Sequence, residues 1–174
     1  MIHIRVLLAA LLLAGCAGAS DDAEEPEGAL RSLPANMCDW IPADHLTGLV
    51  VNQPTNSEAL GVPTAICTAV ARKGAKESRY VNVILKRFAS LDLAREDNAE
   101  ACRTFAALAP TAIEAPGVDA VETCARRGKT STYLITVPNE SGDTLLVSIG
   151  GTPPAAALSA TTEITNSIAA ELSR

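Results

Sequence analysis

The chain has 174 residues, with 14 lysines and arginines against 20 aspartates and glutamates, and its formal net charge is −6. This balance excludes the basic surface that nucleic-acid binding requires, so no nucleic-acid partner is predicted. Hydrophobic residues make up 48% of the chain but aromatic residues only 3%. A folded core must therefore consist mainly of aliphatic side chains.

The start of the chain has the composition of a secretion signal. A short basic segment precedes an apolar run over residues 6–13, which is too short for a permanent span because crossing a bilayer takes about 20 apolar residues. The run ends in Leu-Ala-Gly-Cys at residues 13–16, which resembles the lipobox of bacterial lipoproteins. The resemblance implies removal of residues 1–15 and attachment of acyl lipid, including palmitate, to the nucleophilic thiolate of Cys16.

A lipid on Cys16 would place the protein at a membrane surface. Each buried methylene contributes about 0.8 kcal/mol, so two or three acyl chains hold a protein almost permanently. We expect an exported protein anchored on the outer face of the cytoplasmic membrane, or on the outer membrane if the source has one. The alternative is an ordinary signal peptide followed by a chance cysteine.

Two regions follow the signal peptide. Residues 16–31 contain five acidic residues and no large apolar side chain apart from a leucine near their end, which predicts a disordered, extended tether behind the lipidated cysteine. Residues 32–174 are predicted to form a single extracytoplasmic domain. That domain holds 12 basic and 15 acidic residues, so most of the negative charge belongs to the tether.

The first half of the domain predicts one helix and two strands. Pro42 suits the first position of a helix over residues 42–50, and proline, asparagine and glycine predict a loop over 52–63. Residues 64–72 and 79–88 are rich in β-branched side chains with alternating polarity. They are expected to form an antiparallel hairpin.

The second half predicts two helices and three strands. An apolar stripe predicts a helix over residues 93–108, with its acidic residues on a solvated outer face. Turn residues separate strands over 118–126, 130–137 and 144–149, and an amphipathic helix follows over 155–172. The predicted order is α-β-β-α-β-β-β-α. It indicates the α+β class, an antiparallel sheet of about five strands with helices packed on one face.

Four cysteines remain after Cys16, namely Cys38, Cys67, Cys102 and Cys124. An even number in an exported domain predicts disulfides rather than reduced core cysteines. Three pairings are open. The order of elements favours Cys38 with Cys67 and Cys102 with Cys124, because each bridge then joins a helix to the strand that follows it.

No catalytic constellation is found in the sequence. His45 is the one histidine beyond the signal peptide, and we expect it to be exposed on the first helix. No catalytic residue, metal site or cofactor is predicted. The pair Gly150-Gly151 before the last helix is compatible with an anion cradle, but a turn that needs backbone freedom explains it equally well.

Basic residues gather at two predicted hairpin tips. If both tips project the same way, they form a positive patch for an anionic partner; the alternative is that they are solubilising turn residues. The residues at the two tips are Arg72, Lys73, Lys76 and Arg79, and Arg126, Arg127 and Lys129.

Several motifs together resemble a known family. They are the lipobox ending in Cys16, the acidic tether, the run Cys-Asp-Trp-Ile-Pro at 38–42, Cys67 on the first predicted strand, and Pro-Gly-Val-Asp-Ala at 116–120. The domain is similar to the actinobacterial cell-envelope lipoproteins of the domain-of-unknown-function family 3558. The resemblance implies an extracytoplasmic α+β domain and supplies no catalytic residues.

These observations predict a non-enzymatic, lipid-anchored envelope protein. Its domain is expected to bind a small molecule or an envelope component in a cleft between sheet and helices, as a sensor-like module. The alternative function is structural, as a lipoprotein that docks on a membrane-protein complex. The membrane, through the lipid on Cys16, is the partner expected in both cases.

Overall fold

The computed structural model describes residues 32–59, 61–75 and 78–174. In these residues an antiparallel sheet of eight strands packs with three α-helices, and a 3-10 helix precedes them. The α+β class predicted from the sequence is thereby confirmed. The predicted signal peptide, Cys16 and the predicted tether lie outside the described residues, as does Lys76.

The described residues form eight strands, three α-helices and one 3-10 helix. The α-helices are α1 Ala43–Leu46, α2 Leu91–Leu108 and α3 Pro154–Leu172, and the 3-10 helix is Met37–Trp40. The strands are β1 Leu49–Val51, β2 Thr55–Ala59, β3 Val62–Ala71, β4 Tyr80–Arg87, β5 Thr111–Ile113, β6 Glu122–Arg127, β7 Ser131–Val137 and β8 Asp143–Gly150. Their order in the sheet is β1-β3-β4-β8-β7-β6-β5, and β2 also pairs with β3.

The predicted strand number and element order were wrong in three places. The helix expected over 42–50 ends at Leu46, because Gly48 adopts the left-handed conformation with φ 79° just past the helix end. The following residues pair with β3 as β1. The predicted loop contains β2, and β5 follows α2. All three missed strands have five residues or fewer, too few to display a clear alternation.

One face of the sheet packs against α3 and the 3-10 helix. Alternate side chains of the central strands, such as Val83 and Val147, are fully buried there against Ile164 and Ile168 of α3. Met37 of the 3-10 helix is also fully buried in this cluster. Aliphatic side chains dominate the cluster, as the low aromatic content predicts. This is the larger of the two layers of the core.

The opposite face carries α2, so helices cover both faces rather than the single face predicted. Ser90 begins α2 by accepting a hydrogen bond from the Leu93 amide. The helix packs mainly on β6, β7 and β8. It reaches β4 at the edge of this contact, through Asp97 and Lys86, and within the described ranges no helix packs closely on β3 from this side. None of the helices in the described ranges combines the length and apolarity that crossing a bilayer demands.

The cysteines meet in the two pairs that the order of elements favours. Cys38 and Cys67 have Cα atoms 5.1 Å apart, and Cys102 and Cys124 have Cα atoms 6.2 Å apart. Both distances are normal for disulfides. The first bridge joins the 3-10 helix to β3 within the larger core layer. The second ties α2 to β6 on the other face, where its cysteines are only partly buried.

Candidate functional site

The face beneath α2 carries an apolar row between two polar rows. Strand register aligns Ile66, Ile84, Leu146 and Ile135 across β3, β4, β8 and β7. Because α2 covers only part of this row, a groove runs along the edge of the helix. We call it the α2 groove and define it by Ile84, Ile135 and Leu146 on the sheet and Ala101 and Phe105 on the helix.

The α2 groove contains a cavity of about 160 Å³. Its wall consists mainly of the aliphatic and aromatic side chains that define the groove. A cavity of about 150 Å³ lined by such side chains accommodates a molecule the size of benzene. The groove can therefore receive a single ring or a short branched chain, and a longer ligand would extend onto the uncovered part of the face.

One end of the groove is closed by a compact ion pair. Lys86 Nζ lies 2.7 Å from Asp97 Oδ1, and the Thr144 hydroxyl donates to Asp97 Oδ2 at 2.9 Å. Asp97 was predicted on the solvated face of the helix, and that prediction was wrong. The two opposite charges neutralise each other, so this end presents no net charge to a ligand.

Beyond Phe105, the adjoining part of the sheet face is rich in hydroxyl groups. The Phe105 ring contacts the Tyr133 ring, with centroids 4.9 Å apart. Tyr80 donates a hydrogen bond to Ser131 Oγ at 2.9 Å, and in the next row Asn82, Ser148 and Tyr133 lie side by side. These groups can both donate and accept hydrogen bonds without carrying charge.

Burial raises the pKa of Tyr80 above its ordinary value near 10. The nearby Tyr133 acts in the same direction, while the hydroxyls of Ser131 and Ser148 partly oppose the shift. Tyr80 therefore keeps its proton well beyond neutral pH. Its hydroxyl is a stable neutral group on this part of the sheet face.

The glycine pair before α3 is explained by close packing with β4. Gly150 pairs with Tyr80 across the strands, and a Cβ on Gly150 would overlap the Tyr80 ring. Gly151 has φ 69°, and a Cβ there would lie 2.6 Å from the Ser78 carbonyl oxygen. The absence of side chains at these two glycines leaves space for the Tyr80 ring and for the backbone just before β4. This packing explains the glycine pair without an anion cradle.

The two basic hairpin tips lie at the same end of the sheet. Tyr80, just after the first tip, and Ser131, just after the second, both pair with Gly150. The strand ends beside the two tips are thus about 10 Å apart, which is the width of two strand spacings. This arrangement meets the geometric condition for a shared positive patch.

Two of the predicted patch residues hold the fold together instead of facing a partner. Arg79 donates to the His45 carbonyl oxygen at 2.8 Å. Arg126 donates from Nε to the Ala109 carbonyl oxygen at 2.8 Å and from Nη2 to that of Pro110 at 3.2 Å. Arg126 therefore satisfies carbonyl groups at the end of α2, where a cation is favourable.

The remaining basic residues divide between surface and interior. Arg72, Lys73 and Lys129 are exposed, whereas Arg127 is half-buried on β6. Lys76 lies outside the described residues. With two arginines engaged by backbone carbonyls, the exposed part of the patch reduces to three side chains in the described ranges, which is typical of solubilising turn residues.

Large apolar side chains that are exposed are scattered over α2, β1, β3 and the segment before β6. Leu108 at the end of α2 has 66% of its surface exposed, and Leu93 at the start of the same helix has 47%. Val50 and Val70 face each other across β1 and β3, and Val121 precedes β6. Exposed apolar residues that occur singly or in pairs are normal for globular proteins.

The sequence analysis expected a cleft between sheet and helices but did not identify the residues of the α2 groove, although a signal for them exists. Strands β4, β7 and β8 each contain consecutive apolar residues, such as Val83-Ile84-Leu85 and Leu145-Leu146-Val147. Such runs indicate strands that are covered on both faces.

Comparison of the chain with known proteins finds no matching family model, no matching curated protein and no matching solved structure.

Proposed function

We propose that this chain is a lipid-anchored cell-envelope protein whose folded part binds a small, uncharged, mainly apolar molecule in the α2 groove. The observation that carries the proposal is the apolar cavity between α2 and the sheet, which opens toward a part of the same face that no helix of the described residues covers closely. A purely structural layer would instead close over the apolar row completely. The predicted lipid on Cys16 would hold this binding site beside a membrane.

The polarity of the groove selects the chemical class of ligand. Charge at one end is already neutralised within the pair of Lys86 and Asp97. A charged ligand would have to leave water without gaining a free partner, at a cost of several kcal/mol. An aromatic or branched aliphatic group with one hydroxyl or amide fits better, because its polar atom can meet Tyr80, Tyr133 or Ser148.

Phenol and benzoate are matched probes for this proposal. Both carry one benzene ring, but only phenol is uncharged at neutral pH. We expect phenol to cause saturable NMR shifts of the methyl groups of Ile84 and Leu146, with a dissociation constant roughly in the millimolar range. Benzoate should leave the same methyl signals unchanged at equal concentration.

A variant that fills the groove tests the location. Ala101→Leu places a larger side chain in the cavity and should weaken phenol binding at least about tenfold, while Ala99→Leu, on the exposed side of α2, should leave binding unchanged. The proposed function would be contradicted by any of three results. These are equal effects of the two variants, equal binding of benzoate, and the absence of a saturable shift with phenol.

The anchor is tested separately in cells. With an alkyne analogue of palmitate as label, the wild-type chain should carry label and sediment with membranes. Cys16→Ser should lose essentially all label. Cys102→Ser, which leaves the lipobox intact, should keep it. Label on the Cys16→Ser variant, or none on the wild type, would show that residues 1–15 are not a lipoprotein signal.

A further inference from the structure

His45 lies on the short helix α1, and its side chain is largely buried on the side that faces α3. Only 12% of its side-chain surface is exposed, so the expectation of an exposed helical histidine was wrong. Its backbone carbonyl accepts the hydrogen bond from Arg79, which fixes the short helix α1 against β4. The imidazole faces α3, where Glu163 lies.

Three side chains bring possible metal ligands together at this place. Ligand atoms of Asp44, His45 and Glu163 all lie within 4.8 Å of one another. His45 Nε2 and Glu163 Oε2 are 3.2 Å apart. Two ligands of one tetrahedral zinc ion are about 3.3 Å apart when each is about 2.0–2.1 Å from the metal. The imidazole and Glu163 therefore stand at the spacing of neighbouring ligands.

The imidazole nitrogen lacks a hydrogen-bond partner. Within the described ranges, His45 Nε2 is buried and no group completes a hydrogen bond to it. Its contact with Glu163 at 3.2 Å lacks the alignment that a hydrogen bond needs. An ionised carboxylate has no proton to donate. In the neutral tautomer that carries its proton on Nδ1, the Nε2 lone pair faces the carboxylate oxygens, an arrangement that a cation placed between them stabilises.

Glu163 is oriented by a second side chain. Ser159, one turn earlier on α3, donates a hydrogen bond to Glu163 Oε1 at 2.8 Å. This bond leaves Oε2 directed toward His45. Metal-binding carboxylates characteristically have such outer partners. Asp44 is exposed, so it can rotate through the short distance that coordination would require.

We propose that Asp44, His45 and Glu163 bind a divalent transition-metal ion of the zinc class. An imidazole ligand favours Zn²⁺ and its neighbours over Mg²⁺ and Ca²⁺, which prefer oxygen ligands alone. Three protein ligands leave a fourth position for water or a partner's side chain. The ion would connect α1 with α3, and so join the start of the domain to its last helix.

The test uses the full chain with Zn²⁺ and Co²⁺ as probes and an affinity tag without histidine. The background carries Cys16→Ser and His3→Gln, which remove the other thiol and the other imidazole. Titration calorimetry should show one Zn²⁺ per chain, and Co²⁺ should give the visible absorption of a four-coordinate ion. Mg²⁺ and Ca²⁺ should show no binding at the same concentrations.

Variants identify the ligands. His45→Gln and Glu163→Gln should each weaken Zn²⁺ binding at least about 100-fold, and Ser159→Ala about tenfold through the orientation of Glu163. Glu171→Gln, an acidic residue two turns further along α3, should have no effect. Circular dichroism of each variant without metal confirms folding. Absence of stoichiometric Zn²⁺ binding, or binding that survives His45→Gln in a folded variant, would overturn the proposal in favour of a simple histidine–glutamate ion pair.

Discussion

Replacement of Asp143 by asparagine is expected to lower the free energy of unfolding by about 3–5 kcal/mol. Asp143 and Arg87 are paired across β8 and β4, and their side chains are only 1% and 6% exposed. Arg87 Nε donates to Asp143 Oδ1 at 2.7 Å, and Nη2 donates to Oδ2 at 3.3 Å. Asparagine preserves the shape but removes the negative charge that faces the buried guanidinium.

The pair has further partners that make its loss costly. Arg87 Nη1 donates to the Ser32 carbonyl oxygen at 3.0 Å, and the Asn139 amide donates to Asp143 Oδ2 at 3.1 Å. The arginine therefore fastens the first described residue of the domain, next to the predicted tether. Loss of the Asp143 carboxylate therefore disturbs the ends of β4 and β8 and the start of the domain together.

Urea denaturation of matched variants measures the effect. Glu171→Gln, which breaks the exposed contact with Arg174, should change the free energy of unfolding by about 0.5 kcal/mol or less. The double variant Arg87→Met, Asp143→Leu should recover much of the loss, because apolar replacements of a buried pair are often neutral. A loss below about 1 kcal/mol for Asp143→Asn would show that the pair is not sealed from water.

The buried arginine illustrates how far alternation predicts structure. In β4, Val81, Val83 and Leu85 alternate with more polar residues, and both the strand and its inward face follow from that period. The same period places Arg87 inward and so predicts a buried cation. Its partner could not be identified, because Asp143 lies in a turn-like sequence and only the register with β8 brings the two together.

Helical spacing in α2 likewise indicates which polar side chain points inward. Asp97 is three residues after Ala94 and four before Ala101, so it belongs to the apolar stripe of α2. The stripe should have marked it as an inward carboxylate. Leu108, expected on the same stripe, is instead largely exposed. Tertiary packing decides where along α2 the contact with the sheet ends, and no local sequence pattern marks that position.

The short edge strands also depend on tertiary packing. β1 and β2 both pair with β3, and their own sequences show glycine, proline and polar residues at the ends. Their extended conformation is stabilised by backbone hydrogen bonds to a longer strand rather than by intrinsic propensity. The proposed metal site has the same origin, since Asp44 and Glu163 are far apart in sequence and meet only when α3 packs on the sheet.

Removal of either disulfide is expected to lower the free energy of unfolding by about 3.5 kcal/mol in the chain-entropy model. The bridges join residues separated by 29 and 22 positions, and the loop term changes only slowly between these lengths. Cys38→Ala with Cys67→Ala should cost more than Cys102→Ala with Cys124→Ala. The first pair is nearly fully buried, so its loss also leaves a cavity in the core.

Urea denaturation of the two double variants measures this difference under oxidising conditions. Wild type is the reference, and a cost below about 1 kcal/mol for either variant would mean that the bridge constrains the unfolded chain far less than its loop length implies. Equal costs for the two variants would mean that the core closes over the space left by Cys38 and Cys67.

The same difference in burial predicts the order of chemical reduction. A thiolate reductant must reach a sulfur atom, and the sulfurs of Cys102 and Cys124 are nearer to solvent than those of Cys67 and Cys38. Under mild reductant, timed alkylation followed by peptide mass spectrometry should therefore label Cys102 and Cys124 first. Labelling of Cys38 and Cys67 at the same rate would mean that reduction requires global unfolding, because only unfolding exposes both bridges equally.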